Sequence, residues 1–158
     1  MVTKAKASWF ARWGNSFTTP LLRAGVKLVG PGNYPMYLLT VRGRKSGQPH
    51  TVPIVLLEQH GQRYLVATYG MVDWVRNLRA AKEATLTRGH RAEMVTAREL
   101  STREAALVLQ AEVKRTSFAR YMAARFYGVK ADAPLEQFER AMLIHPVFVL
   151  ERKEHGSL

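Results

Sequence analysis

The feature that most constrains the fold is a series of short segments rich in strand-forming residues and separated by turns. Five of them lie between residues 36 and 97, and a sixth follows near the C-terminus: 36–41, 52–57, 63–68, 84–87, 92–97 and 146–150. Gly47, Gly61 and Gly89 stand in three of the connections, which predicts hairpins and therefore antiparallel pairing. One short helix, 72–81, is expected between the third and fourth strands.

Helical patterns flank these strands on both sides. Helices are expected at 3–18, 20–29, 101–115, 117–127 and 134–143, and Ser101 with Glu104 forms a capping-box pattern at the start of the third. The predicted fold is therefore α+β: a split β-barrel of about six mainly antiparallel strands, with flanking helices at one end. Barrel closure would hide the sheet edges from solvent. We expect one domain over 1–158, in which an N-terminal helical segment, 1–33, packs on or over a barrel formed by 36–152.

The charge of the chain predicts an anionic partner. The formal net charge is +12, and no Asp or Glu precedes Glu58. Nucleic acid, an acidic membrane surface and a phosphorylated ligand are the candidate classes. Because no recognition-helix or RNA-binding pattern is found and the basic residues concentrate in one turn, no specific nucleic-acid partner is expected.

The chain has no cysteine, which excludes disulfides, thiolate metal sites and cysteine nucleophiles. The five histidines show no ligand spacing, so no metal site is expected. No apolar stretch is long enough to span a bilayer, and the N-terminus lacks the apolar run of a secretory signal. These features favour a cytoplasmic location.

A basic turn between the first two strands is the first candidate binding segment. Two glycines flank Arg44, Lys45 and Ser46, and His50 follows at the far side of the turn. Glycine lets backbone N–H groups converge on one point, so such a turn can hold a phosphate without a helix N-terminus. It matches neither the P-loop nor the Rossmann pattern. The alternative is a solvated hairpin turn with incidental charge.

The second candidate segment follows the third strand. The chain turns at Gly70, and the helix that begins there carries Trp74 and Asn77 on one face. An aromatic ring and an amide placed in this way could contact a heterocycle. The alternative is a core tryptophan with an asparagine near a helix end.

Together the two segments resemble the deazaflavin-dependent nitroreductase family. The resemblance lies in Gly-Arg-Lys-Ser-Gly-Gln-Pro, then a strand, then Val-Ala-Thr-Tyr-Gly and Asp-Trp-Val-Arg-Asn-Leu-Arg-Ala, with His-Pro-Val-Phe at 145–148 as the closing strand. It implies a split β-barrel and the coenzyme F420, whose phosphodiester and glutamate tail form a polyanion. The protein would then be an oxidoreductase that reduces a planar or hydrophobic acceptor by hydride transfer.

The resemblance also implies which residues bind the coenzyme. Arg44 and Lys45 would contact the phosphate, with Ser46, Gly47 and His50 completing the turn. Main-chain groups of Thr51, Val52 and Pro53 would follow the pyrimidine edge of the ring. The ring and its side chain would lie against the second segment: Ala67, Thr68, Tyr69, Gly70, Trp74 and Asn77. No catalytic side chain is expected, because the coenzyme supplies the hydride.

Two departures from the family pattern limit what carries over. His50 replaces an arginine that many members have, which makes one phosphate contact weaker or dependent on pH. The stretch between Gly70 and Trp74 is short compared with members that activate nitroimidazole prodrugs, which often carry a lysine there, so that activity is not expected. FMN on the same fold is the alternative cofactor, and a non-catalytic binder of a hydrophobic ligand or tetrapyrrole is the alternative from another class.

Aromatic residues near the expected ring face are candidates for a pocket that binds a small hydrophobic substrate: Trp13, Phe17, Tyr69, Tyr121 and Tyr127. Each could equally pack in the core. The helix 3–18 could dock on the core, close the pocket as a lid, or lie on an anionic membrane surface. The sequence does not distinguish a monomer from a homodimer.

Overall fold

The computed structural model describes residues 19–154, and within this range it shows the predicted α+β fold. Seven strands form one antiparallel sheet in the order β2-β1-β5-β6-β7-β4-β3. Their bounds are β1 Met36–Arg42, β2 Pro49–Val55, β3 Leu57–Gln59, β4 Gln62–Val66, β5 Glu83–Arg88, β6 Arg91–Glu99 and β7 Val147–Arg152. The sheet curls into a split barrel, as expected from the need to hide its edges.

The barrel curls because one bent segment supplies both edge strands. β2 pairs with β1 and β3 pairs with β4, while Leu56 between β2 and β3 is fully buried. The prediction of a single strand over 52–57 was therefore wrong. The segment begins earlier and bends at Leu56, which gives seven strands where about six were expected.

The inside of the barrel is filled by alternate residues of its strands. On β1, Leu39 and Val41 are buried in the barrel core, whereas Thr40 between them lies on the outer face. The helix α2, Asp73–Ala81, packs Val75 and Leu78 onto the same core. This is the helix that the sequence predicted between the third and fourth long strands, and its existence is confirmed.

A second core lies between the outer face of β4 and β7 and three further helical segments. These are α3 Thr102–Arg115, α4 Ser117–Met122 with a π-helical turn Ala123–Tyr127, and α5 Leu135–Met142. The predicted capping box is confirmed, since the N–H of Glu104 donates to Ser101 Oγ and the N–H of Ser101 donates to Glu104 Oε2. The helices were expected at one end of the barrel. They instead cover this outer face because Tyr64, Val66 and Val147 make it apolar.

The N-terminal part of the described chain crosses the β5–β6 turn. It is helical only at 19–23, α1, and not up to 29 as predicted, because Gly25 takes a left-handed conformation with φ of 85°. Gly25 lies against the ring of His90, and Gly32, in the short 3-10 helix Pro31–Asn33, lies against Phe118 of α4. The predictions for 3–18, including Trp13 and Phe17, lie outside the described residues.

A buried carboxylate fastens this segment to the helices. Glu112 of α3 is 1% exposed and accepts hydrogen bonds from Tyr34 Oη at 2.6 Å, Gln59 Nε2 at 2.8 Å and Arg115 Nη2 at 2.7 Å. Burial by itself would raise the pKa of Glu112, but these donors outweigh it and the pKa is lowered. Glu112 is therefore ionised in the folded protein.

Among the helices of residues 19–154, none has the length and the apolar composition that a membrane span needs.

Candidate cofactor site

The β1–β2 turn is closed by its own main chain. The N–H of Gly43 donates to the carbonyl of Gln48 at 2.7 Å, and the N–H of Gly47 donates to the carbonyl of Gly43 at 2.9 Å. Ser46 Oγ accepts from the N–H of Gln48 at 3.2 Å and lies 3.4 Å from His50 Nε2. Ser46 and His50 therefore share one side of the turn.

Gly43 allows these two side chains to approach the backbone. A Cβ atom at this position would lie 2.7 Å from His50 Nε2 and 2.8 Å from Ser46 Oγ, which is too close for either atom to stay in place. Gly47 has a φ of 70°, a conformation that L side chains rarely adopt. Gly47 is thus required by the backbone of the turn, whereas Gly43 leaves the room that the Ser46 and His50 side chains occupy.

The turn leaves hydrogen-bond donors exposed for an anion. Within 19–154, the N–H groups of Lys45 and Ser46 have no acceptor, and the Lys45 side chain is exposed. Adjacent N–H groups beside a lysine form the kind of concavity that binds phosphate. The donor set fits an anionic group without a metal ion.

Arg44, which was predicted to contact the phosphate, lies against α2. Its main-chain N–H and its Nη1 both donate to Asn77 Oδ1, at 3.2 and 2.7 Å, and its Nη2 lies 3.3 Å from Asp73 Oδ1. Asn77 is only 5% exposed, and its oxygen is used by Arg44. The contact fastens the basic turn to α2, so the two segments singled out in the sequence form one wall.

The predicted main-chain contacts lie on an edge strand. Thr51, Val52 and Pro53 belong to β2, which pairs with β1 on one side and stands at the end of the sheet order. An edge strand leaves alternate N–H and C=O groups without a strand partner, and these can bind a ligand. Val52 and Trp74 both pack against the barrel core that contains Ala67.

The turn after β4 is fixed from behind by two side chains, those of buried His145 and half-buried Tyr127. The carbonyl of Ala67 accepts from the N–H of Gly70 at 2.9 Å and from His145 Nδ1 at 3.0 Å. Thr68 Oγ1 and Tyr127 Oη are hydrogen-bonded at 3.0 Å, and the rings of Tyr127 and His145 meet edge to face. This turn is therefore rigidly attached to β7 and to the end of α4.

Burial decides the protonation of both supporting side chains. It lowers the pKa of His145, so the imidazole is neutral and carries its proton on Nδ1 when it donates to Ala67. Burial also raises the pKa of Tyr127 to about 12, which keeps the phenol protonated. Sequence reasoning passed over His145 as unremarkable. The only signal was its position directly before the apolar strand 146–150.

The predicted pocket aromatics separate into two groups. Tyr69 is 46% exposed beside the Ala67–Gly70 turn and packs edge to face on Phe126, while Tyr127 lies behind the turn. Tyr121 is 61% exposed and lies on the face of its helix opposite to the buried residues Ala119 and Ala123. Tyr121 therefore lies on the exposed side of its helix, and its assignment to the substrate pocket stays a prediction.

With this geometry in place, the relatives of the chain can be compared. Residues 15–132 match the family model described as F420H2-dependent quinone reductase. The chain belongs to this family. This F420-dependent reductase is therefore an oxidoreductase that uses coenzyme F420, and the family match favours the deazaflavin over the alternative FMN. No curated protein matches its sequence significantly.

The chain is also similar to several solved structures. An F420-H2 dependent reductase, FDR-A, is 26% identical over 80% of this chain and 98% of its own, with a TM-score of 0.43. A structure described as a domain-swapped dimer is 23% identical over 89% of this chain and 98% of its own, with a TM-score of 0.45. The heme storage protein HutZ from Vibrio cholerae is 9% identical over 76% of this chain and 82% of its own. Its TM-score of 0.51 shows the shared fold alone.

Proposed function

We propose that the F420-dependent reductase binds the coenzyme along one wall, made of the basic turn, the free edge of β2 and the Ala67–Gly70 turn, and reduces a planar hydrophobic acceptor there. The observation that carries the proposal is the contact between Arg44 and Asn77. It joins the phosphate-binding turn to the helix that follows the proposed ring-binding turn.

At the anionic end, the chain offers both charge and directed donors. Lys45, His50 and the N–H groups of Lys45 and Ser46, which have no acceptor within 19–154, would hold the phosphate and the glutamate carboxylates. Arg44 would contribute from its position against α2, where only about a quarter of its side chain is exposed. The exposed position of the turn suits a ligand tail that extends into solvent.

At the ring end, the surface is apolar and carries few charges. Val52, Ala67 and Trp74 form an apolar surface, while main-chain groups of Thr51 and the carbonyl of Pro53, on the edge strand β2, would bind the polar edge of the ring. Neutral His145 and protonated Tyr127 hold Ala67 and Thr68 in place without adding a charge behind the ring. Such positioning is the main contribution a protein makes when the cofactor carries the chemistry.

When bound in its reduced form, the coenzyme supplies a hydride. The acceptor would lie over the exposed ring face beside Tyr69 and Phe126, whose rings form an aromatic side wall. This surface suits a quinone, an enone or a nitro compound, and the family description favours the quinone.

We further propose that 1–33 packs on or over the barrel, as its described part does, and that any membrane contact is made by 3–18.

The test is oxidation of the reduced coenzyme, followed by absorbance, with a quinone, an enone and a nitroaromatic compound as acceptors. We expect saturable turnover that is fastest with the quinone. The same assay without the protein is the control, and it should show no saturable oxidation of the coenzyme. Tight coenzyme binding without turnover of any acceptor would contradict the proposed reaction.

A further inference from the structure

The proposed function of Arg44 in coenzyme binding does not explain one of its partners, Asp73. This residue begins α2, its side chain is 83% exposed, and its Oδ1 lies 3.3 Å from Arg44 Nη2 and 3.8 Å from Arg76 Nη1. It is the only acidic residue in the whole stretch from 59 to 82. A carboxylate therefore stands beside the guanidinium that the proposed function gives to an anionic ligand.

The two partners of Arg44 differ in a way that matters for ligand binding. Asn77 is buried and neutral, and it binds both the main chain and Nη1 of Arg44, so it fixes the position of the residue. Asp73 is exposed and ionic, and it binds only Nη2. Positioning and charge neutralisation are thus supplied by separate side chains.

We propose that Asp73 is a specificity-determining residue that occupies the anion-binding Nη2 of Arg44 until a phosphate replaces it. The inference rests on the proposed function, because it takes the incoming anion to be the phosphate of the coenzyme. Asp73 is free to turn away into solvent, whereas Asn77 keeps Arg44 in register with the turn. A weakly charged ligand gains little from this exchange, and a polyanion gains most, since Arg76 and Lys45 then also face it.

The test compares Asp73→Asn with the wild type in fluorescence titrations with the oxidised coenzyme. The substitution keeps the size of the side chain and removes its charge. An exposed ion pair is worth little, so we expect the coenzyme to bind about 1.5- to 5-fold more tightly to the variant at low salt. The gain should disappear near 1 M salt, where charges more than about 3 Å apart are screened.

Asp132→Asn is the matched control, because it makes the same change in net charge at an exposed position in the loop before α5. It should leave the affinity unchanged. A gain equal to that of Asp73→Asn would show a general effect of net charge and would overturn the inference. So would an unchanged affinity of Asp73→Asn at low salt.

A double-mutant cycle shows whether Asp73 acts through Arg44. In an Arg44→Gln background, removal of the Asp73 charge should no longer strengthen binding, since the competed donor is gone. Persistence of the full gain in that background would overturn the assignment to Arg44. Failure of the proposed function looks different: the wild type itself would then not bind the coenzyme, whatever residue 73 is.

Discussion

Replacement of Asn77 by alanine tests the junction between the two binding segments. Asn77 Oδ1 accepts one neutral hydrogen bond, from the main chain of Arg44, and one from its charged guanidinium. Such bonds contribute about 0.5–1.5 and about 1.5–3 kcal/mol respectively. Since water can reach Arg44 and the turn once they are released, we expect the free energy of unfolding to fall by only about 1–2 kcal/mol.

The loss of the Arg44–Asn77 contact should affect coenzyme binding more than the stability of the fold. For a chain of this size, the stability loss corresponds to a lower Tm by about 2–8 °C, so the variant stays folded at room temperature. Coenzyme affinity should fall by about tenfold or more, equivalent to about 1.4 kcal/mol, because the turn no longer holds its donors in one place. Thermal unfolding by circular dichroism and fluorescence titration measure the two effects separately.

The variant Asn77→Asp separates the effect of the Arg44–Asn77 contact from the effect of charge at this position. This variant keeps an oxygen that can accept from Arg44, so its stability should stay near that of the wild type. The added negative charge near the proposed phosphate position should still weaken binding of the coenzyme. If Asn77→Ala bound the coenzyme as tightly as the wild type while its Tm fell, the turn would not need its attachment to α2, and the reasoning would be refuted.

Three further variants probe other parts of the wall. Tyr127→Phe removes the hydrogen bond to Thr68 and should cost about 0.5–1.5 kcal/mol of unfolding free energy in urea titrations, with a matching loss of turnover; unchanged values would leave Tyr127 as packing only. Gly43→Ala should displace the Ser46 and His50 side chains and lower the affinity for the coenzyme measured by titration, while the Tm changes little. Because burial lowers the pKa of His145, the unfolded state binds a proton more readily than the folded state. Its contribution to stability is therefore present above about pH 6.5 and lost as pH falls below it, and His145→Gln should flatten this part of the pH–stability curve.

Local patterns were sufficient for most of the secondary structure. Runs of strand-forming residues between glycine-containing turns located the strands, and Ser101 with Glu104 located the start of α3, because both signals act over a few residues. The bend at Leu56 could not be found in this way. The run 52–57 is continuously apolar or β-branched apart from its proline, and only the pairing of β3 with β4 shows that it divides.

The candidate site was predictable in its segments and not in its contacts. The basic turn and the turn at Gly70 were recognised from their residues, but Arg44 and Asn77 are 33 positions apart and meet only through the fold. The same holds for His145, whose burial depends on Ala67 and Tyr127, and for Glu112, whose donors come from three separate parts of the chain. The assignment of Tyr121 to the pocket stays a prediction, because the sequence does not show which face of its helix is buried.

The central claim is that the β1–β2 turn holds the anionic end of coenzyme F420, and titration of a turn variant tests it most directly. Arg44→Ala with Lys45→Ala removes two charged donors, whose contacts are worth roughly 1.5–3 kcal/mol each when fully formed. A variant with two exposed basic residues removed elsewhere, Lys114→Ala with Lys130→Ala, has the same net charge. At one salt concentration we expect the turn variant to lose affinity for the coenzyme by about tenfold or more, and the control to bind as the wild type does. Equal affinity of the folded turn variant and the control would contradict the account.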